Sequence, residues 1–176
     1  MPLDEHPSTT AAPSPAPSPT TAPDLLSPGA LDLIRRGVSV IVATRDAAHC
    51  PQIARGWGPE ALSPSGPLRV CVETRAGSHT VESLLLGAPI AMTLTRPSTY
   101  RSLQVKGAVA AIEAPTEGQL ARVDDHWMAY AAEAELVGVS ARLVSRLVDR
   151  QALLTVTVDL EEAYDQTPGP RAGVRL

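Results

Sequence analysis

The strongest constraint on this chain is a series of short segments in which every second residue is apolar, separated by turns too short to hold a helical crossover. Residues 38–44 (VSVIVAT) form a dense β-branched run, and residues 52–57 read as its hairpin partner after a turn containing Asp46 and Pro51. A proline-rich stretch over 59–67 reads as a loop. In 68–73, Val70 and Val72 alternate with Arg69, Cys71 and Glu73; in 90–95, Ile90, Met92 and Leu94 alternate with Ala91, Thr93 and Thr95. Further on, Leu103, Val105, Gly107, Val109 and Ala111 share one face of a long strand and Gln104 and Lys106 the other. Leu154, Val156, Val158 and Leu160 make the last strand. Strands joined by hairpins pair antiparallel, whereas parallel pairs need a crossover of about a dozen residues. The expected fold is mainly β: a small antiparallel barrel with helices packed around it.

Helix signals punctuate the strands. Ser27 and Pro28 supply an N-cap and an N1 proline for a short helix through Leu31, Leu33 and Ile34 that Gly37 stops. Gly77 and Ser78 open a helix over 80–86, closed by Gly87. Thr116 and Gln119 have capping-box spacing. Beyond them Leu120, Val123, Trp127, Tyr130, Ala134 and Val137 recur on one stripe. Gly138 ends that helix, and Ser140 caps another that should run to about residue 149. The ends differ in kind. Residues 1–28 hold eight of the 17 prolines and eight Ser/Thr with no apolar periodicity, so they are expected to form a disordered tail. Residues 29–165 make one domain, and 166–176 an extended, Pro/Gly-rich C-terminal tail.

Charge and cysteine usage narrow the function. A net charge of −4 argues against a nucleic-acid partner. There is no apolar run of the roughly 18–20 residues a membrane span needs, and the first residues lack a secretory signal's basic and apolar regions. Cys50 and Cys71 form no CxxC pair, which argues against a thiolate metal site or a disulfide framework. A cytoplasmic protein is expected. Of 15 basic residues, Lys106 is the single lysine, an imbalance attributable to base composition.

Three stretches are candidates for chemistry. Residues 74–80 (TRAGSHT) place a glycine and a hydroxyl at a helix start, where free N–H groups favour an anion, with Arg75 and His79 adding charge; the plainer alternative is that Ser78 only caps the helix. Residues 101–107 (RSLQVKG) project Gln104 and Lys106 together, beside Arg101 and Ser102, and Gly107 lets another chain approach. This suits a planar polar ligand, or is a solvated strand face. Arg55, Gly56 and Trp57 could flank an aromatic ring system, or Trp57 could be core packing. His49 and Cys50 read as a surface turn rather than a metal site, and His126 as a partly exposed helix residue rather than a haem ligand. No nucleophile elbow, P-loop or dinucleotide fingerprint occurs, so hydrolase and kinase readings lack an anchor.

Taken in order, residues 38–44 with 52–56, residues 75–84 (RAGSHTVESL) and residues 100–107 (YRSLQVKG) resemble the FMN-binding split-barrel proteins related to pyridoxamine 5′-phosphate oxidase. The helix with His126 and Trp127 and the closing residues 164–173 (YDQTPGPRAG) resemble one subgroup. The resemblance implies a six-stranded antiparallel split β-barrel with peripheral helices, forming a homodimer with two FMN sites at the subunit interface. It implies that Arg55, Thr74, Ser78, His79, Thr80 and Ser102 bind the cofactor; Trp57, Arg75, Arg101, Gln104 and Lys106 complete the candidate set. Ser78-His79-Thr80 stands where the family carries Ser-Arg-Lys, and residues 166–173 do not reproduce the tail that shapes the oxidase's substrate site, so pyridoxamine phosphate oxidation is not expected. The implied function is an FMN-binding oxidoreductase acting on an unidentified small molecule. The alternatives are a haem- or flavin-binding carrier or sensor without turnover, and a deazaflavin-dependent reductase.

Overall fold

A computed structural model describes residues 24–74, 79–147 and 149–176. In chain order the elements are α1 (Pro28–Ile34), β1 (Ser39–Arg45), β2 (Pro51–Ala61), β3 (Leu68–Glu73), α2 (Thr80–Leu85), β4 (Ile90–Thr95), β5 (Ser102–Glu113), α3 (Glu117–Glu135), α4 (Ala141–Val144), β6 (Leu153–Asp165) and β7 (Val174–Arg175). The strands pair antiparallel in the order β3-β2-β1-β4-β5-β6, and β6 pairs again with β3, closing a six-stranded barrel; β7 is an extra strand on the edge of β6. The mainly β barrel expected from the alternating segments is therefore what forms.

The alternation also decides what fills it. Val40, Val42, Val70, Val72, Met92, Leu94, Leu103, Val105, Val156 and Val158 point inward and are at most 2% exposed. In a chain without phenylalanine, a narrow barrel interior is packed by medium aliphatic side chains. α1 sits at one end of this core through Ala30, Leu33 and Ile34, its N-terminus capped by Ser27 Oγ, which accepts from Ala30 N at 3.2 Å.

Several expectations need correcting. β2 runs on to Ala61 instead of giving way to a loop at 59, because Gly58 (φ +59°) and Pro59 sit in a bulge where the register with β3 slips. In β5, the irregularity at Val109/Ala111 inserts one extra residue, Ala110, and changes the parity, so Ile112, not Ala111, packs against the core. α4 is a single turn rather than a helix to residue 149, and Ser140 makes no side-chain cap. Order begins before residue 29: Leu26 is 1% exposed, and its N–H bonds Pro64 O at 3.0 Å. Residues 1–23 lie outside the described part.

Two close approaches hold the assembly together. A Cβ on Gly107 would lie 2.0 Å from Asp159 O, so the β5/β6 bulge admits no side chain there. A Cβ on Gly37 would lie 2.1 Å from Ala129 O; what reads as a helix stop is also the point where the backbone of α3 meets the start of β1. α3 begins with the expected capping box, Thr116 Oγ1 accepting from Gln119 N and Gln119 Oε1 from Thr116 N. It covers the outer face of β2 and β3, packing Val123 with Trp57, Cys71 and Leu153. That contact buries His126, expected to be partly exposed, to 8%. Its Nε2 donates to Val38 O at 3.0 Å, and Nδ1 has no partner among the described residues. Burial holds its pKa down at about 4.

Gly107→Ala should lower stability by about 1–3 kcal/mol in urea unfolding, the cost of forcing two paired backbones apart. His126 should make stability depend on pH. Below its ordinary value of 6.5 the unfolded chain takes up a proton that the folded chain refuses until about pH 4. Its contribution is thus complete above 6.5 and falls by about 3 kcal/mol toward pH 4. Unfolding free energies of wild type and His126→Gln across pH 4–7 should differ in slope by one proton over that window.

Candidate functional site

Because α3 occupies the outside of β2 and β3, the outer face of β1, β4 and β5 carries only half-exposed, small or polar side chains: Ile41, Ala43, Ala91 and Thr93. The register sets them in rows. Arg55 stands opposite Ile41, Ile41 opposite Thr93, Thr93 opposite Gln104, and Gln104 opposite Tyr164. One row along, Ala43, Ala91, Lys106 and Glu162 line up. An open cleft of about 540 Å³ lies over Ala43, Ala91 and Lys106, with Arg45, His49 and Pro89 at its end.

Hydrogen bonds fix the polar side chains. Gln104 Nε2 donates to Thr93 Oγ1 at 3.3 Å, and Gln166 Nε2 donates to Gln104 Oε1 at 3.5 Å. Lys106 Nζ lies 4.8 Å from the Tyr164 ring centre and 3.8 Å from Glu162. Ser102 is nearly buried and its hydroxyl bonds that of Thr95. Arg55 reaches Ser39 Oγ at 3.5 Å and lies over the rings of Trp57 and Tyr130 at 5.7 and 5.9 Å. A flat floor edged by amide, hydroxyl, guanidinium and ammonium groups suits a planar ligand carrying alternating donors and acceptors. Among the described residues no hydroxyl or thiol bonds an imidazole: His49 meets Arg45, His79 meets Glu82 and His126 bonds Val38 O.

The other candidates scatter. Trp57 does not face this trough. It is 1% exposed under α3, where Nε1 donates to Glu73 Oε1 at 3.1 Å, and it supports Arg55 from behind. Arg101 immediately precedes β5 and bonds Gly29 O of α1 at 3.3 Å. Thr74 directly follows β3, its N–H bonding Ala152 O at 2.8 Å. Arg75 and Ser78 lie outside the described residues. His79, not Ser78, occupies the position before α2 and makes no cap. It is exposed, with Nδ1 against Glu82 Oε2 at 2.8 Å, and that carboxylate raises its pKa. Thr80 is 1% exposed, which withdraws its hydroxyl from any ligand on the surface; that hydroxyl has no partner among the described residues.

Sequence reasoning missed Gln166. Its backbone N–H bonds Ser102 O at 2.8 Å while Ser102 N bonds Thr167 Oγ1 at 3.1 Å, so the segment read as a tail clamps the start of β5 and delivers an amide to the trough. The signal available was the Gln-Thr pair directly after the last strand. Thr93 alternates onto the outer face of β4, and its contact with Gln104 comes from the pairing of β4 with β5. No group of three or more His, Cys, Asp or Glu able to hold a metal occurs among the described residues. No helix among them is long and apolar enough to cross a membrane.

No protein-family model matches the chain, and no curated protein matches it either. Solved structures do. A protein from Lactobacillus delbrueckii, provisionally named a pyridoxamine 5′-phosphate oxidase, superposes with a TM-score of 0.51 at 17% identity, over 82% of this chain and 97% of its own. An F420 reductase gives 0.51 at 19% identity over 75% and 93%. HupZ of Group A Streptococcus gives 0.50 at 14% identity over 84% and 99%. At these identities the likeness is one of fold: this chain folds as the split barrel of the pyridoxamine 5′-phosphate oxidase-like proteins.

Proposed function

We propose that this chain is a flavin-binding split-barrel protein, an FMN-dependent oxidoreductase acting on a small molecule, and that it works as a homodimer with its cofactor sites where two copies meet. The observation that carries this reading is the uncovered outer face of β1, β4 and β5, with its floor of Ile41, Ala43, Ala91 and Thr93. A half-exposed floor of that kind is what a second copy and a bound ring would cover together. The donor set fits the group: the Gln104 amide and Thr93 hydroxyl match the carbonyl and N–H edge of a planar ring, and Arg55 is held above Trp57 and Tyr130 at its margin.

Bound FMN would supply the hydride chemistry. The chain's own residues hold and orient it. Gln166 fixes the rotamer of Gln104, Thr95 fixes Ser102, and Tyr164 with Glu162 fixes Lys106. Thr74 and His79 flank the segment holding Arg75 and Ser78, which we assign to the phosphate side of the cofactor. Arg101 and Trp57 are left out of this set, since one is committed to α1 and the other is buried. A cytoplasmic location accords with two free cysteines, Cys50 exposed and Cys71 buried. The likeness in fold to an F420 reductase favours a deazaflavin as the second reading of the same trough.

Protein purified without added flavin should bind FMN saturably, seen as quenching of flavin fluorescence, and its mass by light scattering should be that of two chains. Arg55→Ala should weaken FMN by roughly tenfold, the worth of one charge-assisted contact. Absence of both flavin absorbance and saturable FMN binding overturns the FMN reading. Binding of a deazaflavin instead moves the assignment to the second reading, and a Soret band on haem titration moves it to a haem carrier.

A further inference from the structure

The hairpin between β1 and β2 carries a group of side chains, at the end of the trough, to which the flavin reading gives no role. Asp46 closes the turn: its Oδ1 accepts from Ala48 N and Cys50 N, both at 2.9 Å, and His49 N bonds Asp46 O at 3.0 Å. The turn holds His49 at φ +63°, a left-handed conformation that L side chains seldom adopt. In that conformation its Nδ1 meets Arg45 Nη1 at 3.1 Å. A guanidinium has donors and no acceptor, so Nδ1 is the accepting nitrogen and the proton sits on Nε2. That N–H and the rest of the Arg45 fork have no partner among the described residues.

Across from the hairpin, His79 donates Nδ1–H to Glu82, and its Nε2 has no partner among the described residues. Arg45, His49 and His79 line one open cavity of about 580 Å³, together with Asp46, Glu82 and Ser83. The two carboxylates in it are already engaged, Asp46 by its own turn and Glu82 by His79. What remains on the basic side is a fan of donors without a partner among the described residues. This cavity joins the trough, because Arg45, His49 and Pro89 line both.

We propose that Arg45 and His49, with His79 facing them, form an anion site for the phosphomonoester end of a ligand whose planar part lies in the adjoining trough over Ala43 and Ala91. The proposal deepens the flavin reading above and rests on it for the planar part alone. The phosphate could belong to the cofactor or to a phosphorylated substrate; the donor chemistry is common to both.

FMN, riboflavin and inorganic phosphate separate the cases. If the phosphate is the cofactor's, the wild-type protein binds FMN more tightly than riboflavin. Arg45→Ala and His49→Gly then each weaken FMN on the order of tenfold to a hundredfold and riboflavin much less, so that the FMN-to-riboflavin ratio falls. Glycine suits φ +63°, so His49→Gly removes the imidazole without straining the turn. In a parallel NMR titration, inorganic phosphate should shift the His49 and His79 imidazole resonances saturably, and Arg45→Ala should abolish the response. A phosphate response with no change in the FMN-to-riboflavin ratio assigns the site to a phosphorylated substrate. A phosphate response in protein that binds no flavin keeps the anion site and removes the flavin reading. No saturable phosphate response, with an unchanged FMN-to-riboflavin ratio in both variants, overturns the proposal.

Discussion

Everything in this molecule depends on one strand making two partnerships. β6 pairs along its length with β5 and, through residues 153–158, with β3, and that second pairing turns an open sheet into a barrel. Closure gives each of the six strands two neighbours and requires a bend where β5 and β6 run together. The bend is made at the β5/β6 irregularities, one of which needs a glycine at 107 because the Asp159 carbonyl occupies the space a Cβ would take. The interior that results is lined by valine, leucine, isoleucine and methionine from β1, β3, β4, β5 and β6, with small residues such as Ala54 and Gly56 on β2, so its stability is a matter of aliphatic burial rather than of polar pairing.

Closure leaves the outside of the barrel to be divided, and the helices divide it unequally. α3 lies over β2 and β3, drawn in by Gly37 at one place and by Val123 and Trp57 at another. It buries Trp57, Cys71 and His126 and turns outward-facing positions into a second core. Arg96 Nη2 at 2.7 Å from a Glu133 carboxylate ties the β4–β5 turn to the same helix, and the arginine holds that carboxyl below its usual range. The strands left outside this cover, β1, β4 and β5, carry small side chains. The trough follows from helix placement as much as from the residues in it. Its upper end is set by the C-terminal segment on Ser102, its lower end by the hairpin bearing Arg45 and His49.

Much of the site was legible because period-two alternation fixes sidedness. Gln104 and Lys106 had to share a face if Leu103 and Val105 faced the core, and they do. Arg55 follows from the same parity on β2. Trp57 satisfies the same rule, yet is covered, since alternation says which side of a sheet a residue is on and nothing about what lies over that side. His126 was misjudged for the same reason: the helical stripe gives an angle around α3, while its burial comes from a neighbour, the Gly37–Val38 backbone, that periodicity does not describe. Gln166 was illegible as a site residue because its place comes from hydrogen bonds to Ser102, more than sixty residues away in the chain.

The sequence by itself determined the strands, their antiparallel pairing, the capping of α1 and α3, and the aliphatic character of the interior. Each of these is set by residues within a few positions of one another, through local backbone preference and alternation. Tertiary structure alone decided where β2 ends, which outer face is covered, which polar side chains meet, and that Arg45, His49 and His79 share a cavity. Those outcomes depend on contacts between distant segments, on bulges that change parity and on the space a missing Cβ leaves, and none of these has a period to be read along the chain.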